Sequence, residues 1–170
     1  MNLYDGKSKG RLTMTWNLTD LHHVGLTVSN IEESIRFYRD VLGMELVGRR
    51  ERVTADYISQ QTGYDAVEMS VASFRPSNEC RQSLEVVQYL TQAGEPSDQA
   101  TNRPGNSHIC FLVDDFMSCY EDLKSQGVKF KSDPVHITAG PNQGGLVVYF
   151  LDPDGHPLEM FQPPSTGVSS

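Results

Sequence analysis

The chain of 170 residues has few basic residues, few cysteines and no long apolar run. Lys and Arg total 14 against 22 Asp and Glu, which gives a formal net charge of -8. A net acidic surface repels phosphate backbones and anionic lipids, so nucleic acid and membrane surfaces are poor partners. No stretch is apolar over the length that crosses a bilayer, and the first 20 residues lack the apolar core of a signal peptide. We therefore expect a cytoplasmic protein.

The three cysteines, Cys80, Cys110 and Cys119, are an odd number and show no C-x-x-C spacing. This argues against both a disulfide framework and a zinc ribbon, and favours three reduced thiols. Hydrophobic residues make up 38% and charged residues 21%, as in ordinary globular proteins. The length is enough to build one domain with a core that needs no cross-links.

Two stretches of the sequence repeat one another. Residues 22–30 read HHVGLTVSN and residues 107–115 read SHICFLVDD, so that His23 aligns with His108. Each stretch contains a six-residue strand pattern bounded by polar residues. Internal repetition of this kind indicates that the chain contains two copies of one supersecondary unit.

A helix is predicted after each of these strands. In the first copy Asn30 can cap the helix and Gly43 ends it, and in the second copy Asp115 and Gly127 do the same. Apolar residues recur between these signals at the spacing of one helical face. The sequence of strand, helix and glycine therefore occurs twice.

A second pair of segments also repeats. Residues 84–88 read LEVVQ and residues 158–162 read LEMFQ, and each closes a run of strand-like sequence. The strands predicted between helix and closing segment are Glu45–Val53 and Ala66–Phe74 in the first copy, and Lys129–Lys131 and Leu146–Leu151 in the second.

These patterns predict two βαβββ modules in tandem, at about residues 21–90 and 107–162. The segment 91–106 is rich in Gly, Pro, Asn and Ser and is expected to be a linker. We predict a single domain over residues 19–163, preceded by an N-terminal extension at 1–18 and followed by a tail at 164–170.

Strand alternation places four chemically active side chains, His23, Glu85, His108 and Glu159, on the faces away from the helices. Two modules packed about a pseudo-twofold axis would bring these four side chains together. Two buried carboxylates repel one another unless a cation lies between them. A set of two nitrogens and two oxygens suits Zn, Ni, Co, Mn or Fe(II) and does not select among them.

Each of these residues, taken singly, has another common role. A histidine at the start of a strand is more often a hydrogen-bonded structural residue, and a lone glutamate in an apolar strand can belong to an interface. The occurrence of both residues at matched places in both copies favours the metal site.

The motifs HVGLTV, FYRDVLGMEL, SLEVVQ, SHICFLVDD and FLDPDGHPLEM resemble those of the vicinal-oxygen-chelate superfamily, over about residues 21–163. That superfamily includes glyoxalase I, methylmalonyl-CoA epimerase, extradiol dioxygenases and the fosfomycin- and bleomycin-resistance proteins. The resemblance implies an α+β fold whose modules form an open, cup-shaped, eight-stranded sheet with helices outside. It places one divalent metal per site at His23, Glu85, His108 and Glu159, and it implies a homodimer.

The reaction that we expect is epimerisation or isomerisation. A metal that coordinates a carbonyl or hydroxyl acidifies the neighbouring C–H and stabilises an enediolate. Glu85 and Glu159, one from each module, suit the removal and return of a proton as catalytic residues. The substrate would be a small keto or hydroxy compound or an acyl thioester.

Three alternatives stay open. A glyoxalase-like lyase shares the metal positions, but Thr27 and Tyr89 stand where the resemblance implies an arginine and an asparagine for glutathione. An extradiol dioxygenase with Fe(II) matches the pattern from Tyr149 to Glu159 but lacks the histidine expected before Tyr149. A non-catalytic protein that binds an antibiotic is disfavoured because all four metal positions are filled.

Several further residues are candidates for lining the substrate cavity, although packing is the simpler role for the tyrosines. His156 lies in a predicted turn and is expected to be solvated. The candidate lining residues are Thr27, Tyr57, Tyr89, Cys110 and Tyr149.

Overall fold

Each sequence repeat folds into one β-sheet with a helix against one face, in a computed structural model that describes residues 16–165. The first module consists of β1 (His23–Thr27), α1 (Ile31–Ile35) with a π-helical continuation (Arg36–Val41), β2 (Glu45–Val53), α2 (Asp56–Thr62), β3 (Met69–Arg75) and β4 (Ser83–Tyr89). The second consists of β5 (Ile109–Leu112), α3 (Phe116–Ser125), β6 (Lys129–Phe130), β7 (Val135–His136), β8 (Leu146–Leu151) and β9 (Pro157–Gln162).

The two sheets have the same topology. The strand orders are β1-β4-β3-β2 and β5-β9-β8-β6, with the short β7 also paired to β8. In each sheet the first strand lies at the edge and pairs in parallel with the last strand of its module, while the other pairs are antiparallel. The predicted α+β fold of two repeated βαβββ modules is confirmed, with β7 as an additional two-residue strand.

No helix or strand occurs between Tyr89 and Ile109, which is where the sequence places the linker at 91–106. The extension at 1–18 and the tail at 164–170 fall almost entirely outside the described residues, so those two predictions stay predictions. Within residues 16–165, no helix has the length and apolar character needed to cross a membrane.

The predicted helix signals operate in both copies. The side chain of Asn30 accepts hydrogen bonds from the backbone N–H groups of the next turn, and Asp115 caps α3 in the same way. Gly43 and Gly127 follow the two helices with φ of 69° and 83°, a left-handed conformation that glycine adopts without steric cost.

One hydrophobic core joins the two modules, because the apolar faces of both sheets and of α1 and α3 contribute to the same cluster. The alternation predicted from the sequence holds, since the residues on either side of Glu85 and Glu159 are almost fully buried while those carboxylates are only partly buried. The most deeply buried large side chains of the cluster are Tyr38, Phe74, Val86, Phe116, Phe150, Leu158 and Met160.

A buried carboxylate links the modules. Asp152 is 5% exposed and accepts a hydrogen bond from the Tyr38 hydroxyl at 2.8 Å, across the boundary between the modules. It also accepts bonds from the backbone N–H groups of Asp154 and His156, at 3.0 and 2.7 Å. Asp154 in turn accepts a bond from the backbone of Ser29, so that the turn at 152–155 holds the second module against the first.

The side chain of His156 is mostly buried and belongs to this network, which corrects the expectation that it is solvated. Its Nδ1 lies 2.9 Å from Asp152 Oδ2. Burial disfavours the charged imidazolium, but the hydrogen bond and charge of Asp152, together with the charge of Asp154, outweigh it and raise the pKa of His156. Burial of the phenol, and after it the charge and hydrogen bond of the same carboxylate, raise the pKa of Tyr38 well above its usual value.

Candidate metal centre

The faces of the sheets that lie away from the core are open to solvent at the two histidine strands. His23 and Thr27 on β1 are exposed. Cys110 on β5 and His108, directly before β5, are exposed as well. The intervening residues of both strands pack against the core. The sequence therefore directs the two histidines outward by simple alternation.

The first pair of candidate ligands, His23 and Glu85, lines a cavity of about 310 Å³ on the open face of the first sheet. The parallel register of β1 and β4 sets Glu85 opposite Gly25, two residues after His23, which places both side chains on one face. Thr27, Tyr57 and Tyr89, three of the candidate lining residues, line the same cavity.

The neighbours of this first pair are a guanidinium and a hydroxyl beside Glu85 and a second imidazole beside His23. Glu85 Oε2 lies 3.5 Å from Arg50 Nη2 and 3.4 Å from the Ser73 hydroxyl. Nδ1 of His23 lies 2.8 Å from Nδ1 of His22. A hydrogen bond at Nδ1 leaves Nε2 of His23 as the nitrogen that can coordinate an ion.

The second pair, His108 and Glu159, repeats this geometry on the other sheet. Glu159 is opposite Cys110 in the parallel register of β5 and β9, and Cys110 again follows the histidine by two residues. His108 Nε2 lies 3.0 Å from Glu159 Oε2 and 3.4 Å from the Tyr149 hydroxyl. Tyr149 and Cys110 thus flank the second pair.

Two ionisable groups beside Glu159 are shifted toward their neutral forms. Burial and the neighbouring Glu159 raise the pKa of the Cys110 thiol to about 11. The same two causes raise the pKa of Tyr149. Both side chains are therefore protonated near neutral pH and can act as hydrogen-bond donors.

The structure does not bring the four candidate ligands together within one chain. Among residues 16–165, no three His, Cys, Asp or Glu side chains lie close enough to one another to hold a metal ion. The expected convergence of both modules on one site inside a single chain is therefore not found. His23 with Glu85 and His108 with Glu159 form two separate pairs, each on an open sheet face.

Each pair has the chemistry of half a metal site. An imidazole and a carboxylate are common ligands of divalent transition metals. In the second pair the imidazole nitrogen and the carboxylate oxygen face one another at 3.0 Å, so His108 Nε2 can donate a hydrogen bond to Glu159. The donor types of the two pairs together fit a divalent ion, and the roles of the four residues as ligands stay predictions.

Arg50 is a residue of this site that the sequence interpretation missed. It lines the cavity with His23 and Glu85 and is half-exposed there. Strand alternation could have indicated it, but the pairing of β2 with β3 shifts register on both sides of Arg50. Such irregularities break the two-residue period on which face assignments depend.

The fold and the two open sheet faces can be compared with those of known protein families. Residues 20–160 match the family model of the Glyoxalase/Bleomycin resistance protein/Dioxygenase superfamily. The chain belongs to this superfamily.

Two named relatives and one solved structure are similar to most of the chain. The chain is 31% identical over 153 residues to a 2-epi-5-epi-valiolone epimerase from Actinomyces sp, covering 85% of this chain and 80% of that one. It is 27% identical to a lactoylglutathione lyase from Haemophilus influenzae, covering 85% and 93%. A crystal structure of a glyoxalase family protein from Bacillus cereus superposes with a TM-score of 0.77 at 17% identity, covering 90% and 99%, which supports the fold.

Proposed function

We propose that this protein is a divalent-metal-dependent epimerase or isomerase that moves a proton on a small keto or hydroxy compound. The observation that carries the proposal is the matched placement of His23 with Glu85 and of His108 with Glu159, at the same register on the two open sheets. The similarity to a 2-epi-5-epi-valiolone epimerase supports this choice of reaction within the superfamily.

Glu85 and Glu159 are the residues that we propose to move the proton. They come from different modules, so one carboxylate can remove a proton from one side of a substrate carbon while the other returns it from the opposite side. His23 and His108 would hold the ion together with them. A bound divalent ion would polarise the substrate oxygen and acidify the adjacent C–H.

The neighbouring side chains would orient an oxygen-rich substrate. Thr27, Tyr57 and Tyr89 offer hydroxyl groups beside the first pair, and Tyr149 offers one beside the second. A hydroxyl can both donate and accept a hydrogen bond, which suits a substrate that carries hydroxyl and carbonyl groups. Cys110 adds a protonated thiol next to Glu159.

We further propose that the metal centre is completed between two copies of the chain. A twofold axis that sets the first module of one copy against the second module of the other forms the same contact twice. Each contact would unite His23 and Glu85 of one copy with the equivalents of His108 and Glu159 from the other. Two identical centres per dimer result, and the open sheet faces become covered.

Metal content combined with proton exchange tests this function. We expect protein purified and loaded with Co(II) to bind about one ion per chain, as a four-residue centre requires. In D2O it should then exchange a C–H proton of some member of a panel of small keto and hydroxy compounds, acids and 2-epi-5-epi-valiolone included, only while the ion is present. NMR follows the exchange.

Substitutions supply the control for this test. His108→Ala and Glu159→Ala should each abolish cobalt binding without changing the circular dichroism spectrum, whereas His136→Ala, in the exposed strand β7, should change neither. Full cobalt content in both site variants would contradict the proposed centre. Interconversion of lactoylglutathione with free glutathione and a 2-oxoaldehyde would instead support a lyase, and iron-dependent oxygen uptake with catechols a dioxygenase.

A further inference from the structure

The cavity beside the first pair contains one cationic side chain, Arg50, among neutral polar groups. Apart from His23, Glu85 and Arg50, the polar lining consists of hydroxyl and amide side chains, among them Gln61 and Thr62. Glu85 is the anionic side chain of the same lining, so the charge that a ligand meets there depends on how closely Glu85 pairs with Arg50.

Arg50 differs from the other arginines of β2 in how it is paired. Arg49 and Arg52 form close ion pairs at 2.5 Å, with Glu32 and Glu68 respectively. Arg50 reaches Glu85 only at 3.5 Å, the limit of a hydrogen bond, and its side chain is 53% exposed. In the described part of the chain it has no second ion pair, so most of the N–H donors of this cavity-lining side chain are available to a ligand.

The proposed metal centre would weaken even this contact. Glu85 would direct its charge to the ion, and the two carboxylates of the centre would together cancel the charge of a divalent cation. Neutral histidines add no charge. Arg50 would therefore leave the centre with a net positive charge, which attracts an anion.

We infer that Arg50 binds a carboxylate group of the substrate, so that the substrate is a small keto or hydroxy acid. The planar guanidinium fork matches the two oxygens of a carboxylate and can bind them in parallel. The cavity of about 310 Å³ has room for a molecule of this size. The inference rests on the proposed function, because it places the acid beside the metal pair His23 and Glu85.

The test compares glycolate with glycolamide, which has the same shape and no charge. Co(II)-loaded protein broadens the proton NMR signals of a molecule that binds near the ion, so both dissociation constants can be measured without turnover. We expect wild-type protein to prefer glycolate. Arg50→Gln should weaken glycolate binding by about tenfold or more while leaving glycolamide binding unchanged.

Two further variants make the result specific. Arg52→Gln removes the same charge from the same strand outside the cavity lining and should leave glycolate binding unchanged. Arg50→Lys keeps the charge but loses the fork, so we expect an intermediate loss.

The outcomes separate the two proposals. Glycolate binding that Arg50→Gln leaves unchanged overturns the inference while the metal centre stands. The inference is also overturned if Arg50→Gln alters only the affinity for cobalt, because Arg50 would then merely neutralise Glu85. Wild-type protein that binds no cobalt overturns the proposed function, and the inference with it.

Discussion

Asp152 adds a buried polar contact to the hydrophobic core that joins the two modules. A carboxylate that is 5% exposed is stable only when its oxygens are satisfied, and here Tyr38, His156 and the backbone of the turn at 152–155 satisfy them. The acid is thus fixed from both modules at once. The protonation of His156 then bears directly on the stability of the whole domain.

The stability of the protein should fall as pH rises through the titration of His156. The pKa of His156 is raised in the folded state, so the folded protein binds this proton more tightly than the unfolded chain does. The resulting stabilisation is fully present below the unfolded pKa of about 6.5 and is lost as pH rises through the folded pKa. The free energy of unfolding, measured by urea titration between pH 5.5 and 9, should show this loss.

The variant His156→Asn isolates this contribution. Its amide can still donate to Asp152 but does not titrate, so the stability advantage of wild type over the variant should shrink as pH rises. His136→Asn, in the exposed strand β7, is the matched control and should track wild type at every pH. An advantage over His156→Asn that stays constant with pH would contradict the linkage.

The alternation of strand residues was enough to predict which side chains face outward, but it could not predict what they meet. His23, Glu85, His108 and Glu159 all lie on the faces that the two-residue period indicates. Alternation within a strand carries no information on the distance between the two modules, so the separation into two pairs was not predictable. That distance depends on how the core packs.

At the scale of secondary structure elements, capping residues and glycines were readable because their effect is local. Asn30 and Asp115 begin their helices through contacts within one turn, and Gly43 ends the first by its own backbone conformation. The π-helical continuation of α1 and the short β7 were not predicted. β7 exists through its pairing with β8, a longer-range contact that no local pattern of residues records.

Gly145, just before β8, fixes how the preceding loop meets the sheet. A Cβ atom at this position would lie 2.7 Å from the carbonyl oxygen of Gln162 and 3.1 Å from that of Asn142. The backbone of Gly145 also bonds to Asn142 and Ile137, so it has little freedom to move away. We expect Gly145→Ala to lower the free energy of unfolding by about 1–3 kcal/mol, because overpacking forces the backbone to shift.

Urea unfolding of two alanine variants checks this expectation. A Cβ atom at Gly94 would meet no other atom within 4 Å, so Gly94→Ala should stay within about 0.5 kcal/mol of wild type. Equal stability of the two variants would contradict the prediction and mean that the backbone at Gly145 shifts at little energetic cost.

At the scale of the whole molecule, the chain buries one face of each sheet and leaves the other face open at its histidine strand. Leu112, on the same face as His108 and Cys110, is 73% exposed. An exposed apolar residue beside one of the two proposed ligand pairs would be covered if a second copy packed on this face. The dimer that we propose would account for both features with one contact.

Mixing two inactive variants tests this arrangement directly. His23→Ala damages the first module and His108→Ala the second, so each variant alone should bind no cobalt at either site of its dimer. If each centre unites the first module of one copy with the second module of the other, a mixed dimer has one intact centre and one doubly damaged centre. Random reassociation of equal amounts after mild unfolding should therefore restore about a quarter of the wild-type cobalt content. Centres formed within single chains would give no recovery, and a mixture of His23→Ala with Glu85→Ala should give none in either arrangement.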